Sequence, residues 1–114
     1  MSPEISHHFE GTAPEVRAIY NAVLAAARRL GPVDEDPKKT TIHLNRRTAF
    51  LGVSTRKAAL LLTVKADGPW VHPLIAKSEQ VSARRWHHDL KLTDSDQIDD
   101  DVLAHIATAY ELSE

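Results

Sequence analysis

Residues 41–65 read TIHLNRRTAFLGVSTRKAALLLTVK, and this run decides the fold. Ile42 and Leu44 alternate with Thr41, His43 and Asn45, the period of two that belongs to a strand buried on one side. Asn45-Arg46-Arg47 interrupts the alternation as a hairpin turn into a second strand over residues 48–53, with Phe50 as its largest apolar group. Residues 54–57 form the next turn, and residues 58–65 a third strand, apolar enough to be the most buried of the three. Strands joined by turns this short pair antiparallel.

Toward the C-terminus, Ala66-Asp67-Gly68-Pro69 breaks the chain with turn-forming residues. Residues 70–82 show only weak alternation around Leu74, Ala76 and Val81, which leaves four strands or five. Residues 86–92 are clearer: Trp86, His88, Leu90 and Leu92 face one way, and His87, Asp89 and Lys91 the other. Helices are expected at both ends. Thr12-Ala13-Pro14-Glu15 has the form of a capping box, and Val16, Ile19, Tyr20, Val23, Leu24, Ala27 and Leu30 follow at helical spacing until Gly31-Pro32. Residues 93–101 contain five aspartates, with Ser95 or Asp96 as the expected cap. Ile98, Val102, Leu103, Ile106, Ala109 and Tyr110 then supply an apolar stripe. The expected fold is α+β: a four- to five-stranded antiparallel meander with an N-terminal and a C-terminal helix on one face. Residues 1–11 are polar and aperiodic, a flexible tail before a single domain over residues 12–114.

Charge is sorted along the chain. Residues 1–37 carry three bases against six acids, residues 38–91 eleven bases against three acids, and residues 92–114 seven acids and no base. The balances of -3, +8 and -7 hide inside a total of -2. Aspartates in the first turn of a helix are stabilised by its dipole, which accounts for much of the acidic end. The basic middle is unexplained in this way, and its pairs Lys38-Lys39, Arg46-Arg47, Arg56-Lys57 and Arg84-Arg85 fall in turns. Converging at one rim, such pairs would hold phosphate or carboxylate groups. Scattered, they merely solvate the turns.

Several chemistries are excluded or weakened. The chain has no cysteine, so disulfides, thiolate metal sites and cysteine nucleophiles are absent. No serine elbow, phosphate loop or dinucleotide fingerprint occurs. The longest apolar run, residues 58–62, is far short of a membrane span. The start lacks a basic segment followed by an apolar one, so the expected compartment is the cytoplasm. His87-His88-Asp89, with His43, has the chemistry of a metal site, but adjacent strand residues point to opposite faces, and no diagnostic spacing is present. Only Trp70 and Trp86 are available to stack on nucleic-acid bases.

Phe9-Glu10-Gly11, the helix carrying Val16 and Leu24, Gly31-Pro32-Val33, Lys38-Lys39-Thr40, Ile42 and Phe50 recur in order in a known family. So do Arg85-Trp86-His87-His88 and the ending Asp99-Asp100-Asp101-Val102-Leu103 with Ala109-Tyr110. The chain resembles the bacterial domain-of-unknown-function family 5655, loosely labelled predicted transport protein. Family members stand alone or are joined to other domains, including restriction-nuclease-like ones, and this resemblance implies an accessory binding role. It directs attention to Lys39-Thr40 and residues 85–88 and supplies no catalytic residue.

The function expected from these readings is non-enzymatic binding of an anionic ligand or nucleic acid through a basic sheet rim. Lys39, Arg46, Arg47, Arg56, Arg85 and His87 are the candidate contacts, with no cofactor and no metal. One alternative is a metal-dependent hydrolase or nuclease using Glu79, Asp89, Lys91 and His87. Another is an interaction module whose acidic helix meets the basic face of a fused domain or a second copy.

Overall fold

The computed structural model describes residues 3–114. Helix α2 (Pro14–Arg28) presents Val16, Ile19, Tyr20, Val23 and Ala27 to the core at three- and four-residue spacing. Its cap is not the expected capping box. Ala13 is the N-cap, without a side-chain hydrogen bond, and the Thr12 hydroxyl instead donates to the Phe9 carbonyl at 2.8 Å. The start of the helix is tied down by the Ala13 amide, which donates to the Lys57 carbonyl at 2.7 Å.

Residues 3–11, expected from sequence to be a flexible tail, include a short helix α1 (Pro3–His7) and pack Ile5 and Phe9 against the core. Phe9 lies 5.2 Å from the Tyr20 ring, and the Thr55 hydroxyl donates to the His8 carbonyl. Two apolar anchors four residues apart are too sparse to show as a period.

Six strands follow: β1 (Asp34–Pro37), β2 (Ile42–Asn45), β3 (Ala49–Thr55), β4 (Leu60–Ala66), β5 (Ile75–Ser82) and β6 (Arg85–Leu92). They form one antiparallel sheet in the order β1-β2-β3-β4-β6-β5. The sequence points to four or five strands in simple meander order, and both points need correcting. β1 reads Asp-Glu-Asp-Pro, without an apolar residue, and owes its strand form to pairing with β2. β6 rather than β5 pairs with β4 because β6 carries the apolar side chains. Leu90 and Leu92 are fully buried, whereas β5 is exposed along nearly its whole length. The edge is the place where an exposed strand loses least hydrophobic stabilisation.

After β6 come a 3₁₀ turn (Ser95–Gln97) and helix α3 (Asp100–Leu112). Neither expected cap is used. Asp94 caps the turn in a capping box with Gln97, and Asp99 caps α3, accepting from the Val102 amide at 2.9 Å. Both α2 and α3 touch β4 and each other, so they cover the same face of the sheet. Ile42, Leu44, Leu62, Val64 and Leu90 from that face join the helical residues in one core. Two details close the end of this core. A register shift between Leu44 and Asn45 leaves Phe50 as an extra residue in β3, so both Phe50 and Leu51 are buried. The Phe50 ring meets Tyr110 edge-on at 5.1 Å. Tyr110 in turn donates to the Pro32 carbonyl at 3.0 Å and crosses Gly31, where a Cβ would collide with its hydroxyl.

Candidate functional site

The helices leave the opposite sheet face open. Residues opposite one another in paired strands share a face, so the registers define its rows. One row runs Asp36, His43, Gly52, Thr63, Asp89, Lys77 across all six strands. At Gly52 the row has no side chain, and a Cβ there would only brush Thr63, 3.5 Å away. The gap is the floor of a groove of about 270 Å³, walled by His43, Ser54, Thr63, Lys65 and His87.

Lys65 is the unusual member. Its side chain reaches past the end of β3, and its ammonium donates to the Ser113 hydroxyl at 2.9 Å and the Thr48 hydroxyl at 3.3 Å. The residue is only 7% exposed, and no carboxylate pairs with it among the described residues. Burial, and secondarily the nearby Arg85 guanidinium, hold its pKa below the ordinary lysine value. Buried cations are ordinarily paired, because removing a charge from water is costly. The carboxylates bordering the groove are already engaged. Asp36 bonds Lys38 at 2.9 Å, and Asp89 accepts from the Thr63 hydroxyl at 2.7 Å. Along the strands toward the other sheet end, Arg56, Lys57 and Lys91 surround a second, apolar hollow of about 510 Å³ over Ala58, Ala59 and Leu61. Arg56 also donates to the Ser54 hydroxyl at 2.8 Å, linking the hollow to the groove wall.

The basic pairs do not meet at one rim. Lys39 lies in the β1–β2 turn and Arg56 in the β3–β4 turn, both at one end of the sheet. Arg46 and Arg47 lie in the β2–β3 turn, and Arg85 begins β6, all at the other end. Arg46 is occupied structurally, donating to the Tyr110 carbonyl near the end of α3 at 3.1 Å and stacking over that ring at 4.2 Å. Of the six candidate contacts, His87 alone lines the groove. Lys65 and Gly52 escape a reading of the sequence, and His43 enters it only as a metal ligand. A lysine at the end of an apolar strand looks like an ordinary boundary residue.

Glu79, Asp89, Lys91 and His87 do share the open face, with Glu79 opposite His87 and Asp89 opposite Lys77. Even so, among the described residues no three histidine, aspartate or glutamate side chains converge to hold a metal ion. His88 belongs to the core: it is fully buried, with Nε2 2.9 Å from the Gly68 carbonyl and Nδ1 2.8 Å from the Ser78 hydroxyl. Since a carbonyl only accepts, Nε2 carries the hydrogen. Neither tryptophan lines the groove. Trp70 is buried, donates to Asp101 at 2.9 Å and stacks on His105 at 3.8 Å, while Trp86 stacks on His88.

The model of a family described as a domain of unknown function, DUF5655, matches residues 5–113, which include every groove residue. The chain belongs to the DUF5655 family. No curated protein and no solved structure matches it. The DUF5655 match carries no assigned chemistry, so the reading of the groove rests on its own side chains. No helix among the described residues is long and apolar enough to cross a membrane.

Proposed function

We propose that the protein is a non-enzymatic binding module that takes a small anionic ligand into the open-face groove. The observation that supports this reading is Lys65, a buried lysine that lines the groove and has no carboxylate partner among the described residues. Two of its three hydrogens are committed to Ser113 and Thr48. An anion seated in the groove beside this residue would offset the desolvation of the charge. His43, His87, Ser54 and Thr63 supply further polar contacts around the Gly52 floor, and Arg56 and Lys91 extend the positive field along the face. A small ligand is favoured over nucleic acid because neither tryptophan lines the groove: Trp70 is buried, and Trp86 is half-buried against His88 on the other face.

Calorimetric titration at low salt with inorganic phosphate, a nucleoside monophosphate, a dicarboxylate and a short oligonucleotide tests the proposal. Binding is expected for at least one small anion, weakening as salt screens the field. Gly52→Val, whose side chain fills the groove, and Lys65→Met, which removes the charge, are each expected to abolish it. Absence of binding to every probe, or binding that survives both substitutions, overturns the reading.

A further inference from the structure

We infer that the outer edge of β5 is a docking surface for a second copy of this chain, paired antiparallel about Ser78. The two edges of the sheet are built differently. β1 presents four residues, three of them acidic and the fourth a proline without an N–H, and this edge repels its own copy. β5 presents eight, of which only Ile75 is partly buried, and among the described residues no strand pairs with its outer side, where only the Ile75 amide is taken, by the His72 carbonyl. The helices cover β3 and β4, two strands away, so no helix overhangs this edge.

Symmetry then restricts the register. A two-fold axis that pairs one strand antiparallel with itself must stand perpendicular to the sheet. Opposed residues share a face, so the axis must pass through a residue that opposes its own copy. Register irregularities at Ala76 and Val81 confine the regular run to residues 77–80. An axis at Lys77 opposes two lysines, and one at Glu79 opposes two glutamates. At Gln80 the axis stands at the end of the regular run and leaves Glu79 no partner within it. Only at Ser78 does Lys77 oppose Glu79 of the second copy, twice over. Within one chain Lys77 already opposes Asp89, and Glu79 opposes His87. The pairing thus continues an alternating row: Asp89 and Lys77 from one copy, then Glu79 and His87 from the other.

Two six-stranded sheets would become one, with both grooves on the same side. The contact is a narrow ribbon, so the association belongs to the weak, transient class.

Sedimentation equilibrium of the full chain from micromolar to millimolar concentration tests this inference. A reversible dimer is expected at low salt. Lys77→Glu and Glu79→Lys each place two like-charged pairs across the axis and are expected to weaken association about tenfold. The double reversal restores opposite pairing and should recover the dimer. Concentrating the wild type should also slow amide exchange in β5 and leave β1 unchanged. These side chains are exposed, so circular dichroism should report an unaltered fold for every variant. A chain that stays monomeric at millimolar concentration overturns the proposal. So does a dimer that the single reversals leave intact, or a double variant that fails to recover. Neither Lys77 nor Glu79 lines the groove, so this outcome is independent of ligand binding.

Discussion

Leu62 and Thr63 are neighbours in β4, yet they live in different environments. Leu62 is fully buried beneath the helices, among leucines and valines from adjacent strands. Thr63 faces the open side, hydrogen-bonded to Asp89 beside a groove with a glycine floor. The covered face obeys packing and is filled. The open face holds what packing would remove: a gap at Gly52 and a buried lysine with no carboxylate partner among the described residues. The two faces of one sheet thus separate what keeps the chain folded from what it presents to a ligand.

This contrast can be tested from either side of the sheet. On the covered face, Leu62→Ala should cost about 2–5 kcal/mol by denaturant unfolding, because the rigid surroundings leave a cavity. A loss well under 1 kcal/mol would mean that this face is less tightly packed than its burial implies. On the open face the sign should reverse. Lys65→Met removes a desolvated charge and retains the packing of the stem, so stability should be unchanged or higher. The difference has a pH signature. With its folded pKa below its unfolded one, Lys65 binds its proton less tightly in the native state. Wild-type stability therefore rises relative to Lys65→Met as pH climbs from the folded pKa toward the ordinary lysine value. Equal pH profiles for the two proteins would show that Lys65 is not desolvated as described.

The smallest effect lies at the boundary between the faces, where Asp99 caps α3. The Val102 amide, and after it His72, hold the Asp99 carboxyl below the usual carboxylate range. Its contribution is complete above the unfolded aspartate pKa and is lost as pH falls through the folded one. Acid unfolding of Asp99→Ala should thus differ from wild type above about pH 4 and converge with it at lower pH. Convergence at neutral pH instead would remove Asp99 from the cap.

The legible parts of the molecule share one property. Ile42, Leu44, Leu90 and Leu92 alternate with polar neighbours, and Val16 to Ala27 recur at helical spacing, so the strands and helices they form can be read locally. β1 is illegible because Asp-Glu-Asp-Pro has no period. It is a strand because β2 offers it backbone partners and the Tyr20 hydroxyl donates to Glu35. The helix caps are hard to place for a related reason. Five aspartates within eight residues all have the right chemistry, and only the position of the 3₁₀ turn selects Asp94 and Asp99. Of the candidate site, His87 is readable from its alternation with His88, while the basic pairs draw attention to turns that lie at opposite ends of the sheet.

Local sequence is enough for the α+β class, antiparallel strands, and which side of β2 and β6 is apolar. Those properties depend on residues a few positions apart, whose side chains the backbone geometry directs to one side or the other. The assembled fold alone puts β6 rather than β5 beside β4, opens a groove at Gly52 between His43 and Thr63, and buries Lys65 beside Ser113. Each of these depends on groups far apart in the chain. Which of them meet is settled by burying the most apolar surface, a property of the whole assembly rather than of any one segment.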